Sequence, residues 1–253
     1  MRELLMVAGA VASGLSGAAM AQPVFVRVDV RSLAPQNDVS FAPLRVGFNA
    51  GVFDSFNAGQ AATAPIISIA EGGSGSDWFP AFAGAEPQAV LGTVGAGPLL
   101  PGAHAFGVFL VDPAVNPYFT FASMVVPSND HFIGNDNPQA YRLFDAGGQL
   151  VLNSISQRGS QVWDAGSELT DPMAAAFLVG GTNSLRTPQN GVVAFDFNEL
   201  NAYNGLQTAA GYTFQRQFGA SDEIYRITFT VVPAPASAGL LVLGGLLASR
   251  RRR

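Results

Sequence analysis

Two segments near opposite ends of the chain alternate strictly between apolar and polar residues. In residues 24–31, Val24, Val26, Val28 and Val30 fall on one side of an extended backbone and Arg27, Asp29 and Arg31 on the other. Residues 224–231 repeat the pattern, with Tyr225, Ile227, Phe229 and Val231 opposite Arg226, Thr228 and Thr230. A period of two with one apolar side marks a half-buried strand, which must lay that side against a second apolar layer. Shorter strand-like runs lie between them, at 44–48, 106–111, 118–126, 141–144, 149–152 and 192–197. The 29 glycines and 16 prolines supply the turns, and the 19 phenylalanines suit sheets. Nothing between the two ends reads with a period of 3.6. The pattern predicts an all-β chain, an antiparallel sandwich or barrel. Residues 71–77, rich in Gly and Ser, read as a flexible loop, since no Lys-Ser/Thr pair follows as a phosphate cradle requires.

Apolar residues make up 48% of the chain and charged residues 12%, enough to build a real core. The net charge is −5 and the basic residues cluster only at Arg250–Arg253, which argues against nucleic acid as a partner. With no cysteine, the chain can form neither disulfides nor thiolate metal sites, and with no lysine it can form no Schiff base.

The ends read as addresses. Met1-Arg2, the apolar and small stretch 4–20 and the Ala19-Met20-Ala21 site have the order of a secretory signal peptide, predicted to form a helix over 1–21 and leave Gln22 as the mature start. At the other end, Pro233-Ala234-Pro235 precedes an apolar run at 238–248 and four arginines. That run is shorter than the ~20 residues of a free-standing membrane span, and the arginines favour the cytoplasmic side. The tail, residues 233–253, resembles a PEP-CTERM sorting signal, with Ala234 where that signal usually has Glu. The resemblance implies an apolar helix held in the inner membrane and handling by an exosortase-type machinery.

Three blocks of the middle carry a second resemblance. The first is Phe41-Ala42-Pro43 followed by Gly47 through Gly59, with Phe53-Asp54-Ser55-Phe56 and then Ala70-Glu71-Gly72. The second is Met124-Val125-Val126-Pro127-Ser128-Asn129-Asp130-His131-Phe132-Ile133-Gly134. The third is Trp163-Asp164-Ala165-Gly166-Ser167-Glu168. In this order they resemble spondin domains over residues 22–232. That resemblance implies a C2-like antiparallel β-sandwich and calcium held by Asp130, Asp164 and Glu168. The residues themselves fit the expectation. Asp130 follows an apolar run and a Pro-Ser turn, and Asp164 and Glu168 flank a tight turn that can aim both carboxylates at one point. Calcium takes six to eight oxygens from carboxylates, carbonyls and water. The same acids also suit plain turn formation. Asn129, Asn135, Asp136 and Asn137 offer further oxygens, and Arg142 and Arg158 are the nearest arginines in sequence.

Catalytic patterns are weak. The only histidines are His104 and His131, and the Gly73-Ser74-Gly75-Ser76 run lacks the strand that precedes a nucleophile elbow. The expectation is an exported, non-enzymatic surface or extracellular domain with an adhesion, matrix or structural role, facing an extracellular polysaccharide or surface protein. The alternative is a secreted carbohydrate-active hydrolase on a jelly-roll-like sandwich, which would need two carboxylates across a cleft.

Overall fold

The alternating segments pair with each other. In the computed structural model, which describes residues 22–233, β1 (Val24–Ser32) lies antiparallel to β11 (Glu223–Val232), with Val28 opposite Phe229 and Val30 opposite Ile227. β5 (His104–Val111) and β8 (Ser154–Arg158) flank them, giving the sheet order β5-β1-β11-β8. The expected helices over 1–21 and 238–248 lie outside the described residues.

The second sheet is built from β3 (Leu44–Asn49), β4 (Val90–Val94), β6 (Tyr118–Val126), β7 (His131–Gly134), β9 (Trp163–Asp164) and β10 (Ala194–Phe195). Its order is β10-β9-β7-β6-β3-β4, and the short β2 (Ser40–Phe41) also pairs with β6. Every strand pair is antiparallel. Val26, Val28, Val30, Tyr225, Ile227 and Phe229 from one sheet meet Leu44, Val46, Phe48, Phe119, Phe121 and Val125 from the other in a single buried cluster. This is the expected antiparallel β-sandwich. Val231 departs from the expected core row: it is 44% exposed, at the end of its strand.

Two helices correct the expectation that no helix lies between the ends. α1 (Ala64–Gly72) starts at Thr63, whose hydroxyl accepts from Ile66 N, with Pro65 in the first turn, where its missing N–H costs nothing. It stops at Gly73, which adopts the left-handed conformation (φ 58°) and donates to Ile69 O. The segment 71–77 is therefore the end of a helix and a short connector, and α2 (Trp78–Ala85) follows directly. Both helices pack on the outer face of the second sheet, where Ile66, Ile69, Trp78 and Phe82 join Phe53, Phe56, Ala122, Phe132 and Trp163. Gly47 is required by this contact, because a Cβ there would lie 2.4 Å from the Phe82 ring. β6 is thus covered on both faces, which is why it reads as a continuous apolar run and not as an alternation.

The runs at 141–144 and 149–152 form no ladder; single bridges join Tyr118 to Arg142 and Phe144 to Leu150. Of the run at 192–197, only Ala194–Phe195 is strand.

Candidate functional site

The site lies where β7 begins and β9 ends. The turn between β6 and β7 holds Pro127 (after a cis peptide bond), Ser128, Asn129 and Asp130. Asp130 is 1% exposed. Its Oδ2 accepts from Ser167 N at 2.7 Å, Ser167 Oγ at 3.1 Å and Glu168 N at 3.0 Å. These bonds fasten the turn after β9 onto the turn before β7. Within that turn, Asp164 Oδ1 accepts from Gly166 N at 2.7 Å. Gly166 has φ +63°, and a Cβ there would sit 2.6 Å from Val192 N. Only glycine satisfies both conditions.

Glu168 is buried on the far side of Asp130. Its Oε1 accepts from Asn129 Nδ2 at 2.7 Å, and its Oε2 is buried with no hydrogen-bond partner. Asn129 is itself held by Asp171 N at 3.0 Å and the Tyr203 hydroxyl at 2.6 Å, both donating to its Oδ1. Asn129 is therefore an orienting residue, committed to its neighbours.

The electrostatics are those of acids sharing too little water and too few cations. Burial, then the Asp130 charge, pushes the Asp164 carboxyl up to about 7. Burial likewise pushes Glu168 up to about 7, with Glu71 and Asp130 adding repulsion while Asn129 and Arg186 oppose it. Glu71, delivered by the last turn of α1, is raised by burial as well. Arg186 ion-pairs with Glu71, and its Nε stands 4.0 Å from Glu168 Oε2. His131 is fully enclosed, and burial lowers its pKa, so the ring is neutral. Its Nδ1 is 4.0 Å from Asp130 Oδ1 and its Nε2 is 3.7 Å from Glu199 Oε2, both too long for hydrogen bonds. Neither ring nitrogen has a partner among the described residues.

Of the three acids expected to share one point, Asp164 lies near enough to Asp130 to be raised by its charge, and the Glu168 carboxylate is directed to Asn129 and Arg186. Among the described residues, no group of three or more His, Cys, Asp or Glu side chains is placed to hold one metal ion. The arginines nearest in sequence lie elsewhere: Arg142 donates to Phe144 O at 2.9 Å, and Arg158 to Ser221 O at 2.8 Å. The arginine at the cluster is Arg186, from an irregular segment without any motif. Glu71 falls within the Ala70-Glu71-Gly72 element, which pointed to the fold but not to a role. Tyr203 and Glu199 left no signal in the sequence.

The donor set fits a hard cation in kind. It offers carboxylate oxygens only, including the orphaned Glu168 Oε2, and an acid pair that repels itself when fully ionised. In number it supplies two neighbouring carboxylates, so carbonyls and water would complete the shell. No described helix is long and apolar enough to cross a membrane. Comparison with protein-family models and with curated proteins finds no match.

Proposed function

We propose that this chain is an exported, non-enzymatic, spondin-type surface domain whose buried acid cluster binds calcium. Asp130 and Asp164 are the primary ligands, and Glu168 is the third once its side chain leaves Arg186. The observation that carries the reading is the placing of half-buried Asp164 beside buried Asp130, where β7 pairs with β9 and Ala165 N donates to Asp130 O at 3.2 Å, with neither acid in an ion pair to an arginine among the described residues. Two like charges this close either share a proton or need a cation. An extracellular milieu supplies the cation, and the tail at 233–253 directs the chain there through exosortase-type sorting and the inner membrane. Bound calcium would cross-link the β6–β7 turn to the turn after β9, stiffening the end of the sandwich for adhesion or a matrix role.

Calcium titration of the mature protein, read as thermal stability, tests this. Calcium at a hundred times its dissociation constant should add about 2.7 kcal/mol. Asp164→Asn should fold and lose most of that gain. A parent protein indifferent to calcium, or an Asp164→Asn protein that responds like the parent, would sink the reading.

A further inference from the structure

A second site lies one residue away, on the other side of β9. Trp163 precedes Asp164 in the strand, so the two side chains point to opposite faces of the sheet. Trp163 pairs with Phe195 across β9 and β10, and their rings stack with centroids 3.6 Å apart and planes 23° apart. Trp163 is nearly buried and its indole N–H donates to Gly134 O at 3.0 Å, which fixes the ring. Phe195 lies over it and is 53% exposed.

The two rings line a cleft of about 200 Å³ together with Tyr141, Asp136, Gln157 and Gln161. Gln157 is 1% exposed, yet poorly used by the fold. Its amide nitrogen makes only long bonds, to Tyr141 Oη at 3.4 Å and Ser156 O at 3.3 Å, so a better acceptor in the cleft could replace them. Gln161 accepts from Arg158 N through its Oε1 at 2.9 Å, which leaves its amide N–H groups free to donate. Asp136 is the only charged side chain of the lining.

We propose that this cleft binds one pyranose ring of a neutral polysaccharide. A pyranose has a flat face of C–H bonds that packs on an aromatic ring, and a rim of hydroxyls that donate and accept in the plane of amides and carboxylates. Phe195 on its Trp163 support supplies the first, and Gln157, Gln161, Asp136 and the Tyr141 hydroxyl supply the second. The volume is below the ~300 Å³ of sites that enclose drug-sized ligands, which suits a single ring of a chain that continues into solvent. With a carboxylate and no cation in the lining, uronic-acid polymers are disfavoured. The inference names the chemistry of a surface partner but does not rest on the cation site.

The test uses the mature protein in EDTA, titrated with dextran, a linear β-glucan, mannan and galactan, with polygalacturonate as the anionic control. Tryptophan emission and calorimetry report binding. At least one neutral polymer should bind, and polygalacturonate should not. Phe195→Ala should weaken that binding about tenfold through loss of the ring face. The rim double variant Asp136→Ala/Gln161→Ala, which touches no core residue, should weaken it as well. Failure of every neutral polymer to bind, preference for polygalacturonate, or binding that neither variant reduces would overturn the proposal. Neutral binding that appears only when calcium replaces EDTA would move the sugar to the acid cluster and overturn it equally.

Discussion

Glu86 and Asp130 are both carboxylates taken out of water and held by hydrogen-bond donors, and they differ in what else surrounds them. Glu86, just past α2, accepts from Ala50 N at 2.6 Å, Val52 N at 2.8 Å and Phe53 N at 2.6 Å. Asp38 does the same for another loop, accepting from Val39 N at 2.7 Å, Gln217 N at 2.6 Å and Phe218 N at 3.2 Å. Each of these acids is a pin: backbone N–H groups replace the lost water, and nothing is left for a ligand. Asp130 is held in the same way by Ser167 N, Ser167 Oγ and Glu168 N, but its further neighbours are the acids Asp164 and Glu168, and Glu168 Oε2 has no hydrogen-bond partner among the described residues. Burial of a carboxylate therefore says little about function; what surrounds it decides.

The pin is the easier side to break. Glu86→Ala removes three backbone bonds to a charged group and leaves one donor, Phe53 N, buried, while Ala50 N and Val52 N can turn to water. Urea unfolding should show a loss of about 3 kcal/mol, at 1.5–3 kcal/mol for each such bond before relaxation. The loss should be the same with and without calcium. A calcium-dependent loss would mean that the two regions are coupled and the comparison fails.

The acid cluster should make the stability of the calcium-free protein depend on pH. Asp164 and Glu168 have folded-state values of about 7, raised above those of the free side chains. A raised carboxyl favours the folded state fully below its unfolded value, and that advantage is lost as pH rises through the folded value. Calcium-free protein should thus lose stability between about pH 4 and pH 7. Saturating calcium should flatten the slope, because it takes the place of the proton, and binding near pH 6.5 should release protons measurable in a weakly buffered titration. Equal slopes with and without calcium would show that these acids titrate independently of any cation.

The fold was more legible in the sequence than the site. Alternation at 24–31 and 224–231 survives because each strand has one wet face, and the two strands pair. The helices were hidden by length and composition. α1 and α2 are nine and eight residues long, and α2 (Trp-Phe-Pro-Ala-Phe-Ala-Gly-Ala) is apolar nearly throughout, so no period of 3.6 can emerge. The runs at 141–144 and 149–152 have strand-like residues but meet their neighbours only through single bridges, a fact only the tertiary structure contains. At the site, Asp130 and Asp164 were legible through short motifs, because a turn fixes its own acids. Arg186 was not, since its place beside Glu71 and Glu168 depends on the path of a long irregular segment and on the docking of α1.

Arg186 offers the finest test of where the cluster ends. Its side chain is 38% exposed, so its pairing with Glu71 and its approach to Glu168 stabilise the calcium-free protein by only about 0–1 kcal/mol. Arg186→Gln should therefore barely change the calcium-free melting temperature. Its value lies in the calcium response. The arginine and a bound cation compete for the same Glu168 oxygen if Glu168 is a ligand. Removing the arginine then leaves Glu168 free to turn, and calcium affinity should rise two- to fivefold, a change of roughly 0.4–1 kcal/mol, the range of an exposed ion pair. Glu168→Gln in the same background should cancel the rise. If the affinity of Arg186→Gln equals that of the parent, Glu168 belongs with Glu71 in an arginine-held ion pair, and the calcium site contracts to Asp130 and Asp164.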